Sequence, residues 1–501
     1  MNIKETFLFL IYHPIAPFVG VFLIFVFMVA IYDIFIQKKH AIKHNFPALG
    51  HLRYLLELIG PELRQYWLAN DKEERPFNRD QRRWVYSTSK GENNHFGFGS
   101  NKEMTEKGYI FIKHRTLPFP AEKAKVDPQD PSRISALKKM GEYHGRKKIY
   151  QPNSVVNISA MSFGSLGKNA IMALNKGAKL ADCFHNSGEG GISPYHLQGA
   201  DLILQLGTAY FGARDEEGNF SIQKLQSKIE KSDKIKAIEI KLSQGAKPGK
   251  GGVLPAEKIT PEISKIRDIP MGKDCYSPNY HRAFDDVDSC IDFIELIAKE
   301  TGLPVGLKAA IGHDNFFKEL AIRMKERKQG PDFIVIDGGE GGTGAAPLSF
   351  SDHVALPFRE AFARTHRHFK NEKISDQIFW IGSGKLGFPE QACMAFAMGC
   401  DAINIAREAM LSIGCIQAQK CHSNTCPVGI ATQNRWLQAG LNVEDKAQRF
   451  ARYVKGLRTE LLHLSYAIGV EHPAKFEPMD IDILVRPDYY RSLDKILNYP
   501  K

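Results

Sequence analysis

Cys415, Cys421 and Cys426 lie within twelve residues in the spacing Cys-x5-Cys-x4-Cys, and Pro427 follows the last of them. Three thiolates in one short loop suit an iron–sulfur cluster. The chemical rival is a zinc site completed by His422, although four-ligand zinc sites usually arrive as two closely spaced pairs. Neither a Cys-x2-Cys step nor a second cysteine pair is present. Reduced, buried thiols fit the same spacing without any metal. The other five of the eight cysteines are scattered, so this long chain is not a small disulfide scaffold. The crowding of three thiols reads as metal binding in a reducing compartment.

Three glycine-rich stretches each follow a short apolar run. They are Ser187-Gly188-Glu189-Gly190-Gly191, Gly338-Gly339-Glu340-Gly341-Gly342-Thr343-Gly344 and Gly382-Ser383-Gly384. Glycine lets backbone N–H groups approach phosphate oxygens, and such amide nests bind anions without side-chain charge. Gly339 to Gly344 satisfies G-x-G-x-x-G, but a dinucleotide fingerprint opens a helix at once. Here Ala345-Ala346-Pro347 follows, and the pattern predicts no helix until after Ser351. Each loop alone fits tight-turn chemistry; three together favour a phosphate-bearing cofactor.

Leu242 to Gly252 carries Gln244, Lys247 and Lys250 on a Gly/Pro-rich loop after another apolar run. A lysine there supplies a point charge for a carboxylate or carbonyl, and a glutamine supplies a directional hydrogen bond. Arg267, about twenty residues on, could clamp a second carboxylate bidentately. Solvated loop cations are the plain alternative. Lys308 sits inside the strand-like run Val305 to Ala310. A lysine turned into a barrel mouth is costly to bury without an anion; it would neutralise the electron-rich edge of a reduced flavin, or else snorkel outward.

The elements that must position these residues begin near Ser154. Candidate strands are Val155–Ala160, Asp182–Asn186, Thr208–Phe211, Ile235–Lys241, Pro304–Ala310, Asp332–Asp337, Gln377–Gly382 and Asp401–Ala406. Helical patterns lie between most of them, clearest at Leu166–Ala181, Val287–Lys299, Val354–Phe369 and Pro389–Met398. Such alternation argues an α/β fold with a parallel sheet. About eight units suit a closed (β/α)8 barrel, with a doubly wound open sheet as the rival. Val443–Ile468 reads as a long amphipathic helix, and the tail from Glu471 as a return segment. The lead-in holds a helix-like stretch at Leu52–Leu58 and a polar, turn-rich run from Glu73 to Lys107.

A hydrophobic share of 43% and 25% charged residues are ordinary for a globular protein. A net charge of +11 fits an anionic membrane leaflet, acidic substrates or carrier proteins, or merely solvated lysines. No nucleic-acid motif accompanies it. Ile15 to Tyr32 carries no charge, and apolar residues continue to Ile36 around Asp33. This is long enough for a membrane-spanning helix, and it lacks the short apolar core and cleavage site of a signal peptide. Lys38, Lys39, Lys43 and Arg53 follow it, against Lys4 before it. A cytoplasmic catalytic part is therefore expected. The expected organisation is an anchor (1–37), a lead-in (38–151), a barrel with the cysteine loop (152–470) and a tail (471–501).

From about Ser154 to Gln433 the chain resembles the FMN-binding synthase domain of glutamate synthases and their shorter stand-alone relatives. The resemblance is carried by Ser159-Ala160-Met161-Ser162-Phe163-Gly164, Ser187 to Gly191, Lys241 to Gly249, Asp337 to Ala345, and Cys421 to Gln433. It implies a (β/α)8 TIM-type barrel behind the N-terminal transmembrane helix and lead-in, with FMN at the strand C-termini. It also implies a [3Fe-4S] cluster on Cys415, Cys421 and Cys426. In that family reduced flavin passes a hydride to 2-iminoglutarate, made from 2-oxoglutarate and ammonia, giving L-glutamate. By the same resemblance Gln244, Lys247 and Arg267 would hold 2-oxoglutarate, with Glu189 near the flavin. Met161, Ser162 and Lys308 would contact the isoalloxazine, and Gly341, Gly342, Gly382 and Gly384 the phosphate. Electrons would come from a ferredoxin-like donor or a reductase subunit, and ammonia from solution or a separate glutaminase. The sequence departs from the family in having no amidotransferase domain with an N-terminal cysteine, no C-terminal β-helix and no evident NAD(P)H-binding domain. Lys250 and Val253 stand where the family usually has Glu and Gln. A related amine or N-alkyl-glutamate chemistry, or a membrane-bound electron-transfer module, are the alternatives.

Overall fold

The computed structural model of the protein describes residues 14–92, 94, 95, 97–124 and 127–498. Residues up to Asp80 form one compact unit and those from Gln81 a second. In the first, the helix Ala16–Ile31 runs on into a wider π-turn, Tyr32–Ile36. Together they reach a mean hydropathy of 2.7, long and apolar enough to cross a bilayer, a test that a signal sequence also passes. Lys4 and the rest of residues 1–13 lie outside the described residues. The stretch read at Leu52–Leu58 is the middle of a longer helix, Gly50–Leu63, extended by a π-turn, Arg64–Leu68.

The second unit is built on a closed barrel of eight parallel strands. They are β1 (Val156–Ile158), β2 (His185–Asn186), β3 (Leu202–Leu206), β4 (Ile235–Lys241), β5 (Val305–Ala309), β6 (Phe333–Asp337), β7 (Phe379–Ser383) and β8 (Ala402–Ile405). Sequential neighbours pair, and β8 closes on β1 through Ile403 opposite Val156. The open-sheet alternative is thereby removed.

Three expectations need correction. Thr208–Phe211 is not a strand; the third strand is Leu202–Leu206, buried on both faces and apolar but for Gln205. No α-helix separates β2 from β3, only a 3-10 turn at Pro194–His196, so the alternation that locates the other strands fails there. After the second glycine loop a short helix, Leu348–His353, begins earlier than expected, and Phe358–Asn371 follows it. The run Glu73–Lys107 contains a helix, Arg79–Lys90, whose buried side is Arg82, Val85, Thr88 and Ser89. Charge and hydroxyls there conceal the apolar stripe by which a helix is normally read.

Side chains on the inner face recur every second residue. Ile203, Ala237, Val335, Ile381 and Ala402 meet Ala136, Met140 and Tyr150 from the lead-in as one core cluster. Met140 and Tyr150 exchange backbone hydrogen bonds of 2.8 and 3.1 Å, which makes this hairpin the apolar floor of the barrel. Two residues further along the same strands stand Gln205, Glu239, Asp337, Ser383 and Asn404, all buried. The inner face thus turns from apolar to polar toward the strand C-termini. Behind the helical layer the tail strand Ile481–Arg486 pairs with Ile110–Ile112 and Tyr489–Ser492, joining tail to lead-in.

Candidate active site

At the mouth Lys308, projecting from β5 and almost fully buried, reaches Ser159 Oγ at 3.3 Å and Asp337 Oδ2 at 4.0 Å. Gln205 Nε2 donates to Glu239 Oε1 at 2.5 Å. Burial raises the Glu239 pKa, and the opposing pull of Lys308 and Gln205 is not enough to cancel it. Asn404 Oδ1 is buried and has no hydrogen-bond partner. A polar floor with an unmet acceptor suits a polar heterocycle lying across the mouth.

The loop that follows strand β1, called loop β1, supplies Met161 and Ser162, both buried. Its position is set by His196, whose Nε2 lies 3.0 Å from the Met161 carbonyl and must donate to it. The other ring nitrogen, Nδ1, then accepts from Ser193 N at 3.2 Å. Burial, only partly opposed by the Met161 bond, lowers the His196 pKa to about 4, so the ring is neutral. Neither the tautomer nor the role could be read from an isolated histidine in sequence.

Of the glycines expected at a phosphate, Gly341 lies against the Asp337 carboxylate and Gly342 against the Arg407 side chain. Gly384 adopts φ +131° beside Gly338, a conformation closed to most side chains. Gly382 differs: a Cβ there would meet Phe358 of the helix Phe358–Asn371, Leu386 and Cys400. Arg407, one residue past Ala406 at the end of β8, bonds the Glu340 carbonyl through Nη2. Sequence reasoning missed it, although its place directly after a barrel strand was the available signal. A half-buried guanidinium beside close-packed glycine amides suits a phosphate.

Glu189, Lys241, Gln244, Lys247 and Lys250 line one pocket. Lys241, the last residue of β4, pairs with Glu189 Oε2 at 3.0 Å; it was not among the expected site residues. Burial pushes the Glu189 carboxyl up, but Lys241 and Lys247, with Arg267 beyond, outweigh it and hold the pKa at about 2. Lys247 is depressed by burial, with Glu189 pulling the other way. Gly245 is obligatory here, because a Cβ would come within 1.9 Å of the Gly338 carbonyl. Its N–H donates to Asp337 Oδ2 at 2.9 Å, tying this loop to the second glycine loop. Arg267 stands off the pocket lining. Its Nη2 donates to the Phe163 carbonyl at 3.0 Å, its guanidinium lies 5.2 Å from the Phe211 ring, and its Nε has no partner. Behind Lys241, His281 Nε2 donates to the Lys241 carbonyl at 2.9 Å while Nδ1 accepts from Tyr210.

The three cysteines of the loop after β8 are free thiols. Burial, then the charges of Cys421 and Cys426, set against the Gln417 N–H, push Cys415 up to about 12. Among the described residues, no three His, Cys, Asp or Glu side chains converge to hold one metal ion. Lys258, a further residue missed from sequence, is buried here. Its ammonium donates to the carbonyls of Cys421 (2.8 Å), Ala431 (3.3 Å) and Ser165 (3.5 Å). Gln433 Nε2 adds bonds to the carbonyls of Gly164 and Leu166. Both side chains fasten the cysteine loop to loop β1.

Residues 99–471 match the family profile described as the conserved region in glutamate synthase. The glutamate synthase large subunit-like protein YerD of Bacillus subtilis (strain 168) is 39% identical over 469 residues, covering 88% of this chain and 89% of that protein. An archaeal glutamate synthase (NADPH) of Methanocaldococcus jannaschii is 33% identical over 370 residues, covering 73% of this chain and 68% of its own length. Among solved structures, a mandelate oxidase variant with benzaldehyde aligns at 15% identity and TM-score 0.42, over 73% of this chain and 83% of that one. The chain therefore belongs to the glutamate synthase family and is an oxidoreductase of glutamate synthase type.

Proposed function

We propose that this chain reduces 2-iminoglutarate, formed from 2-oxoglutarate and ammonia, to L-glutamate at the mouth of the barrel. The observation that carries the reading is the pocket in which Lys241 and Lys247 surround the single carboxylate of Glu189, with Gln244 beside them and Arg267 behind. Such a surplus of positive charge favours a dianionic oxo acid over a neutral or cationic substrate. Lys247 and Gln244 would hold a carboxylate. The depressed Lys247 ammonium gives up a proton more readily than a solvated lysine, which suits the nitrogen of an imine being reduced. Arg267 Nε, free of partners, would take a second carboxylate after a shift toward the pocket. Met161, Ser162, Lys308 and Asn404 would hold FMN, with Gly341, Gly342, Gly384 and Arg407 at its phosphate. Cys415, Cys421 and Cys426 would hold a [3Fe-4S] cluster, whose ligands bind separate irons and need not converge on one point. When bound, FMN supplies the hydride and the cluster passes electrons to it singly. A ferredoxin-like donor or reductase subunit would feed it, and ammonia would come from solution or a glutaminase. Ala16–Ile36 would anchor the chain in the membrane, with the barrel in the cytoplasm.

The test is anaerobic stopped-flow absorbance of dithionite-reduced protein mixed with 2-oxoglutarate and ammonium. Flavin reoxidation that needs both compounds is expected. A flavin that stays reduced with both would reject this substrate, and protein purified anaerobically without flavin would reject the whole reading. A second reading, a related amine-forming reaction on a different oxo acid, is favoured by Lys250 in the pocket lining where the family usually carries Glu. Replacing Lys250 with Glu and Val253 with Gln should then sharpen the response to 2-oxoglutarate; an unchanged response counts against it.

A further inference from the structure

The helix Gly50–Leu63 has no part in the barrel chemistry, yet its apolar residues, the exposed Leu58 apart, gather on one side. At 3.6 residues per turn, Leu52, Leu55, Leu56, Ile59 and Leu63 fall within a sector of about 100°. In a water-facing helix such a stripe is buried, but here Leu52, Leu55 and Leu56 are 57%, 51% and 53% exposed. The π-turn that follows adds Tyr66 and Trp67, the latter 84% exposed. On the opposite side Arg53 pairs with Glu57 at 2.9 Å. Tyr54, also on that side, receives the short basic helix Ala41–Asn45 and its N-cap: Lys43 Nζ lies 4.8 Å from its ring and the His40 ring 5.0 Å. This short helix therefore covers the polar side and leaves the stripe uncovered within this unit.

The start of the helix is fixed to the end of the apolar helix before it. Asp33 is fully buried, accepts from Ala48 N at 3.0 Å and lies 3.0 Å from His51 Nε2. Gln37 Nε2 bonds the Asp33 and His40 carbonyls at 3.0 Å each, closing the connection. Whatever surface Ala16–Ile36 leaves at Asp33 is thus the surface on which Gly50–Leu63 begins. We propose that Gly50–Leu68 lies flat in the interface of a lipid bilayer, its leucine stripe against acyl chains and Tyr66 and Trp67 at headgroup depth. This inference rests on reading Ala16–Ile36 as a membrane span.

The experiment uses the full chain in proteoliposomes of phosphatidylcholine and phosphatidylglycerol, with lipids brominated at shallow or deep acyl positions. The Trp67 signal is the difference in emission between the wild-type and Trp67→Phe proteins. Shallow bromines should remove it more than deep ones, and Leu55→Glu with Leu56→Glu should abolish the quenching while the protein still resists alkaline carbonate extraction. Carbonate-resistant protein with an unquenched Trp67 would overturn the interfacial helix and leave the span intact. Release by carbonate would overturn the span and this inference with it. A dimer in detergent that the two Glu substitutions convert to monomer would assign the stripe to a second copy instead.

Discussion

Glu189 is the one carboxylate lining the pocket, and its charge holds Lys241 in place and offsets Lys247 and Arg267. Replacing it with Gln keeps the shape and removes the charge, so a largely buried cation loses its counter-ion. We expect a loss of about 1–3 kcal/mol at neutral pH. The pH dependence follows from the depressed folded value. An unfolded Glu titrates at about 4.3, and Glu189 in the folded chain at about 2. Its contribution is therefore complete above about pH 5 and is lost as pH falls from about 4.3 toward 2. The gap in unfolding midpoint between wild type and Glu189→Gln should be constant from pH 8 to 5 and narrow in stronger acid. A gap as wide at pH 3 as at pH 7 would show that charge is not what the side chain contributes. That Gln244 and Lys247 share a loop with chemistry was legible because the Gly/Pro-rich composition of that loop is itself a signal; Glu189, which lines the same pocket, entered only through the family resemblance. Lys241, Lys258, Arg407 and His196 were not legible, because each acts on residues remote in sequence, and a lone Lys, Arg or His carries no mark of its partner.

Between elements, the cysteine loop and loop β1 are joined by Lys258 and Gln433, which satisfy backbone carbonyls on both. Lys258 also places a cation beside Cys421 and Cys426, whose thiolate charges pull against the burial that lowers its pKa. Substitution by Met keeps most of the volume, drops the charge and leaves three carbonyls short of a donor. We expect Lys258→Met protein, reconstituted anaerobically with iron and sulfide, to retain less iron per chain than wild type while binding FMN equally well. Iron, labile sulfide and flavin assays on the same sample decide it; equal iron content would mean that the cysteine loop holds its shape without the lysine. The strands at this scale were legible wherever a helix intervened: Ile235–Lys241 and the helix Val443–Ile468 agree with their expected bounds. Reading failed where the βα rhythm lapses, at β2 to β3, and where a helix buries Arg, Thr and Ser, at Arg79–Lys90. In both places tertiary burial, rather than periodicity, defines the element.

At the scale of the whole molecule the same burial acts on five histidines among the described residues. His185, His196, His281, His366 and His472 all have pKa values lowered first by burial, to about 4 for His196 and His281 and about 3 for His366. An unfolded chain takes up these protons near pH 6.5, while the folded chain resists until far stronger acid. Stability from neutral burial is thus complete above about pH 7 and falls as pH drops from about 6.5 toward 4. Glu239, Glu340 and Asp401 act with the opposite sign, since burial raises their folded values and favours the folded state in acid. With Asp201, which burial also raises, they are fewer among the described residues than the histidines; their contribution grows as pH falls through their raised folded values, so they offset the histidines only in part. The apparent unfolding temperature of the full chain in nanodiscs should therefore decline from pH 7 to 5, and His281→Gln should flatten that decline. His281 is the informative position because its ring is fixed as the Nε2–H tautomer between Tyr210 and the Lys241 carbonyl. Protonating Nδ1 would set a donor against the Tyr210 hydroxyl, which already accepts from Ala283 N at 3.2 Å, and would loosen the backbone that carries Lys241 to Glu189. A profile flat from pH 7 to 5 would mean that these rings take up protons inside the fold, and the pocket would then lose its link to acid through His281.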